Sequence, residues 1–195
     1  PVADAKSSER PSPAGLPAIA VDEHRSDNPC SKPMKIAMLG SFPPQRGISS
    51  YCFELACALA RRVAVDFISF KHMYPHFLYP GGGLADDTTF PSMLPSRLIV
   101  RRNLTWYNPL SWLKEMLSSR ADLIHVQWWS LPLAPVAACV ALGYKLRGKP
   151  VIFTIHNVIG HERRTLFRKV SATLFKLGDY FIVHSAANRD TLVRS

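Results

Sequence analysis

The sequence predicts an α/β fold, a Rossmann-like parallel sheet with helices on both faces. Two observations carry the prediction. From Met34 onward, short apolar runs alternate with segments of helical period, the order that builds a parallel sheet from strand–helix–strand units. The runs are apolar at nearly every position instead of every second one, which suits strands covered on both sides. Right-handed crossovers then favour the strand order 3-2-1-4-5-6. That order sets the C-terminal ends of strands one, four and five side by side at a switch point, where ligands bind.

Each element has its own signal. Met34 to Gly40 is the first strand, a buried run closed by glycine. Gly47 to Arg62 is a helix expected to turn Tyr51, Leu55, Ala58 and Leu59 to one face. Val63 to Phe70 is the second strand, and a Gly- and Pro-rich stretch from Lys71 to Pro95 separates it from a short third strand near Leu98-Ile99-Val100. Asn108 and Pro109 sit where an N-cap and a first-turn proline belong, with Leu110, Leu113 and Leu117 continuing that helix. Asp122 to Trp128 is a strand, Leu133 to Leu146 a helix, and Pro150 to His156 a strand. Arg164 to Leu177 is a helix, Asp179 to Ser185 a strand, and a last helix opens near Ala186 and is still running at Ser195.

Composition bounds the rest. A chain of 195 residues, 47% hydrophobic and 19% charged, is globular and of single-domain size. Residues 1–33 are rich in Pro, Ser and Ala without any apolar period, so they are expected to be a disordered tail ahead of a domain at 34–195. The first 30 residues contain no apolar signal segment. The longest apolar run, Leu131 to Leu142, is broken by Pro132 and Pro135 and is too short to span a bilayer. Cys30, Cys52, Cys57 and Cys139 show no metal-like spacing and read as reduced packing residues of a cytoplasmic protein. The net charge is +10, and the tail, with four basic and five acidic residues, contributes none of the excess. A basic domain attracts phosphorylated substrates, acidic lipid headgroups or nucleic acid, although solubility alone also accounts for such a charge.

The candidate chemistry lies after the strands that meet at the switch point. After strand one, Gly47 opens a helix, where free backbone N–H groups and the helix dipole favour a phosphate. The segment is neither GxGxxG nor GxxxxGK[ST], and a plain strand-to-helix turn explains Gly47 as well. In strand four, His125 and Gln127 share one side by the period of two. After strand five, His156, Asn157, His161 and Glu162 gather imidazole, amide and carboxylate in one loop. A lone histidine at a strand end is usually structural; this many polar groups at adjacent strand ends point to a site. A metal is not expected, because four residues after His161 stands Thr165, which breaks the HExxH spacing.

These segments, taken in order, resemble the N-terminal domain of glycosyltransferase family 4, enzymes of the GT-B fold. The matching elements are Phe42-Pro43-Pro44 through Gly47-Ile48-Ser49 to Tyr51, then Ser69-Phe70, Tyr74-Pro75 and Tyr79-Pro80-Gly81. Asn108 to Trp112, Asp122 to His125 with Gln127-Trp128-Trp129, Thr154 to Glu162, and Gly178 to Ser185 follow. The resemblance implies a metal-independent, anomer-retaining transfer of a sugar from a nucleotide-sugar to a glycan or lipid-linked acceptor, without cofactor and without nucleic acid. It gives Gly47 to the donor diphosphate, His156 to the donor sugar as the catalytic-site residue, and His125, Gln127, Asn157, His161 and Glu162 to the acceptor or substrate. Relatives often have a second glycine where Arg46 stands, histidine at the Gln127 position and proline at the Gly160 position. The family's C-terminal donor-binding domain has no counterpart in these 195 residues, so the chain alone is expected to be inactive.

Two other readings remain open on the sequence. One is a non-catalytic module of the same fold that binds a glycan, lipid or protein. The other is a different Rossmann-type enzyme, an epimerase or oxidoreductase. A peripheral contact with anionic membrane is expected of Arg164 to Leu177, where Leu166, Phe167, Val170, Leu174 and Phe175 alternate with Arg168, Lys169 and Lys176.

Overall fold

Six parallel strands form one sheet in the order β3-β2-β1-β4-β5-β6, the order expected from the alternation. The structure is a computed structural model that describes residues 33–43, 48–73, 94–156 and 164–193. The strands are β1 Lys35–Leu39, β2 Ala64–His72, β3 Leu98–Thr105, β4 Leu123–Trp128, β5 Val151–Ile155 and β6 Tyr180–Val183. The helices are α1 Ser49–Ala60, α2 Pro109–Ser118, α3 Ala134–Leu146, α4 Arg164–Phe175 and α5 Ala186–Val193, with a single 3₁₀ turn Leu131–Leu133 before α3. These elements belong to the compact unit Pro33–Ser195. The expected tail, up to Lys32, lies outside the described residues, as does most of the Lys71–Pro95 stretch.

Both faces of the central strands are buried, which is why those strands read as continuous apolar runs. Met38 and Phe67 point to one face and pack with Phe42, Cys52, Phe53 and Ala56 beneath α1. Their neighbours Ala37, Leu39 and Ile68 point to the other, in a larger core with Ile124, Val126, Trp128, Val140, Phe153, Phe167 and Leu174 under α3 and α4. Alternate residues of one strand thus serve two cores.

Two expectations need correction, and α2 adds an orientation that its leucine pattern does not announce. The buried side of α1 is Ser49, Cys52, Phe53, Ala56 and Ala60, not Tyr51, Leu55, Ala58 and Leu59. The Phe42 and Phe67 rings beneath the helix select Phe53: Phe42 lies 5.7 Å from Phe53 and 4.7 Å from Phe67, centroid to centroid. Strand β3 runs on through Arg101, Arg102 and Asn103 to Thr105, well past Val100. Its polar half is tolerated because Arg101 grips buried Asp66 of β2 through two 2.7 Å hydrogen bonds. Lastly, α2 is inverted. Leu110, Leu113 and Leu117 are exposed, while Glu115 is 1% exposed and takes Asn103 Nδ2 at 2.9 Å and Arg101 Nη1 at 3.1 Å.

Contacts at the two ends of α2 are also polar. The Asn108 side chain caps it by accepting from the Leu110 N–H at 3.1 Å, and Trp112 Nε1 donates to the Thr105 carbonyl at 2.7 Å. Against α3, the Ser119 and Tyr144 hydroxyls share a hydrogen bond. Gly143 lets the two helices close up, since a Cβ there would stand 2.0 Å from Met116 Cγ. The apolar side chains of α4, by contrast, serve the core: Phe167 and Leu174 are buried, Val170 and Phe175 pack against them, and Leu166 is left exposed. Among the described residues no helix is long and apolar enough to cross a membrane.

Candidate functional site

The C-terminal ends of β1, β4, β5 and β6 converge beside α1. Register places Met38 against His125 and Leu39 against Val126, so Gly40 follows next to Gln127. A Cβ at Gly40 would lie 3.1 Å from Gln127 Cγ and 3.2 Å from Cys52 Sγ. Glycine is what lets the strand end, the amide and the first turn of α1 share this space. Burial pushes the Cys52 thiol up to about 12, so it is a packing group and not a nucleophile.

His125, Gln127 and His156 come together here, as the period of two predicts. With the amide oxygen toward the imidazole, His156 Nε2–H donates to Gln127 Oε1 at 2.9 Å. His156 Nδ1 then accepts from His184 Nε2–H at 3.2 Å. The His156 ring is therefore neutral and protonated on Nε2. Burial, reinforced by His184 and His125, lowers it to about 4. His125 is buried, shares a 2.7 Å hydrogen bond between its Nε2 and Thr154 Oγ1, and burial lowers it to about 4 as well.

Sequence reasoning missed three members of this cluster. Tyr51, placed above on one face of α1 with Leu55, Ala58 and Leu59, sets its ring edge-on to His156 at 4.9 Å and to His184 at 5.1 Å. Its hydroxyl bonds Thr154, and burial raises it above the ordinary phenol value. Thr154 thus joins Tyr51 to His125. His184 ends β6 as His156 follows β5, and the strand-end rule that found His156 would have found it too. Gly47, Asn157, His161 and Glu162 lie outside the described residues.

Among the described residues, two buried polar atoms beside Gly40 have no hydrogen-bond partner: Ser41 Oγ and Gln127 Nε2. Buried polar groups are ordinarily paired, so both atoms keep bonding capacity to spare at the end of β1. At neutral pH the His125 and His156 imidazoles are uncharged, and with the neighbouring amide and hydroxyl groups they form a set suited to hydroxyl-rich molecules. Among the described residues no group of three or more His, Cys, Asp or Glu is placed to hold a metal ion.

The model of Glycosyltransferase Family 4 matches residues 45–195. Among solved structures, a Rossmann-fold NAD(P)-binding family protein from Shigella flexneri resembles the chain with a TM-score of 0.50 at 12% identity. The match covers 78% of this chain and 67% of that one, and it is a likeness of fold. No curated protein matches.

Proposed function

This chain belongs to glycosyltransferase family 4, and we propose that it is the acceptor-side domain of a retaining glycosyltransferase. In this reading it moves a sugar from a nucleotide-sugar to a glycan or lipid-linked acceptor at the inner face of a membrane. It works with a donor-binding domain and is inactive alone. The observation that carries the reading is the hydrogen-bonded cluster of His156, Gln127, His184, Tyr51 and Thr154 at the switch point, beside the Ser41 and Gln127 groups that have no partner among the described residues.

The roles follow from the chemistry. His156, held uncharged, presents a hydrogen-bonding group to the donor sugar without adding positive charge. Tyr51 and His184 fix its plane and its tautomer, so the ring is oriented before substrate arrives. Gly47 serves the donor diphosphate, as a glycine ahead of a helix start favours an anion. Most of the charge developing on the leaving diphosphate is met by groups of the donor domain. Asn157, His161 and Glu162, with His125 and Gln127, serve the acceptor or substrate side.

The test is imidazole NMR on the chain with a panel of UDP- and GDP-sugars and acceptor glycans, with mass spectrometry of the same samples. Weak, millimolar-range shifts of His156 and His184 are expected, with no transfer product. Silence of both rings toward every compound would overturn the reading of the site. Sustained transfer by this chain alone would overturn the division of labour between domains.

A further inference from the structure

The inverted helix α2 leaves an apolar surface that the fold does not use. Leu110, Leu113 and Leu117 are 74%, 43% and 67% exposed, and their i, i+3, i+7 spacing puts them on one side of the helix. Helix α3 adds Leu142 and Leu146, 43% and 74% exposed, one turn apart. The two helices lie side by side, locked by Met116 against Gly143 and by the Ser119–Tyr144 hydrogen bond. Arg147 ties the end of α3 to the Met116 carbonyl. Five leucines therefore stand on the outer layer of one helix pair.

The charges around them are mostly basic, and the Asp179 carboxylate is paired with Lys145 of α3. Lys114, Arg120 and Arg147 are exposed, and across residues 107–121 and 134–150 the one acidic side chain is Glu115. That carboxylate points inward, held by Asn103 and Arg101. A surface with protruding leucines and a cationic rim, on which the Asp179 carboxylate is already neutralised by Lys145, matches a bilayer that is apolar within and anionic at its headgroups.

We propose that the outer face of α2 and α3 docks on an anionic lipid surface, its leucines entering the acyl boundary and Lys114 and Arg120 lying at headgroup level. This rests on the membrane contact of the proposed function and moves it from α4, whose apolar residues serve the core, to α2 and α3. The experiment is independent of sugar transfer. The full chain is floated with vesicles of phosphatidylcholine alone or with phosphatidylglycerol added, at low salt. Recovery is expected with the anionic vesicles and near background with the neutral ones.

Leu113→Ser with Leu117→Ser should bring recovery to background at an unchanged melting temperature. Lys114→Gln and Arg120→Gln should each weaken binding about fivefold. Leu166→Ser on α4 should leave it unchanged. Equal recovery from both vesicle types, or full recovery of the double leucine variant, would overturn the proposal. So would a leucine-dependent dimer in sedimentation with no vesicle binding, which would assign the surface to a second copy of the chain.

Discussion

Helices α2 and α4 carry the same kind of sequence, apolar residues at helical spacing among basic ones, and the fold uses them in opposite senses. In α4 the apolar side goes in. Phe167 lies 5.9 Å from Trp128, and Phe175 lies 5.6 Å from Phe153, ring to ring, with Arg168 and Lys169 left outside. In α2 the apolar side stays out, and Glu115 goes in. The difference comes from the strands beneath. Under α4, β4 and β5 present Trp128 and Phe153. Under α2, β2 and β3 present Asp66 and Arg101, with Lys35 Nζ of β1 a further 3.3 Å from Asp66. A helix turns inward whichever side its floor can satisfy, and a floor of charges selects a carboxylate over leucines.

Truncations can break this comparison. Phe167→Ala should cost about 3–5 kcal/mol, the usual loss for a buried aromatic. Leu117→Ala, on the matching position of an exposed stripe, should stay within about 0.5 kcal/mol. Urea denaturation of both variants gives the two values side by side, and equal losses would mean that α2 buries its leucines after all. A somewhat smaller effect is expected of Glu115→Ala, about 3 kcal/mol, at the low end for a broken buried ion pair. Arg101 keeps Asp66 in that variant, while Asn103 loses its partner. A loss under about 1 kcal/mol would show that α2 is held by its cap and its α3 contacts and not by the carboxylate.

The sheet order was legible because β1, β4 and β5 are largely apolar on both faces and helical segments alternate with the strands. The inner faces of the helices were less so. In α1, both stripes are apolar, and the choice between them is made by Phe42 and Phe67, which belong to other elements. The second half of β3 reads as loop until Asp66 is known to lie beside it. In the site, His125, Gln127 and His156 follow from strand period and strand order alone. Tyr51 and Thr154 do not, because their contacts exist only once α1 lies across β5. Tertiary contact, not local pattern, makes those pairs.

The two depressed imidazoles tie the fold to acidity. Above about pH 6.5, neither the folded nor the unfolded chain binds protons at His125 or His156, and stability is indifferent to both. As pH falls from there toward about 4, the unfolded chain takes up protons that the folded one refuses, because its rings are lowered to about 4. Each proton taken up only by the unfolded chain draws the equilibrium toward unfolding. The urea midpoint should therefore drop between pH 7 and pH 4.5, and a flat profile would mean that the rings charge freely within the fold. A cluster that burial keeps neutral is, by the same burial, where acid begins to undo the domain.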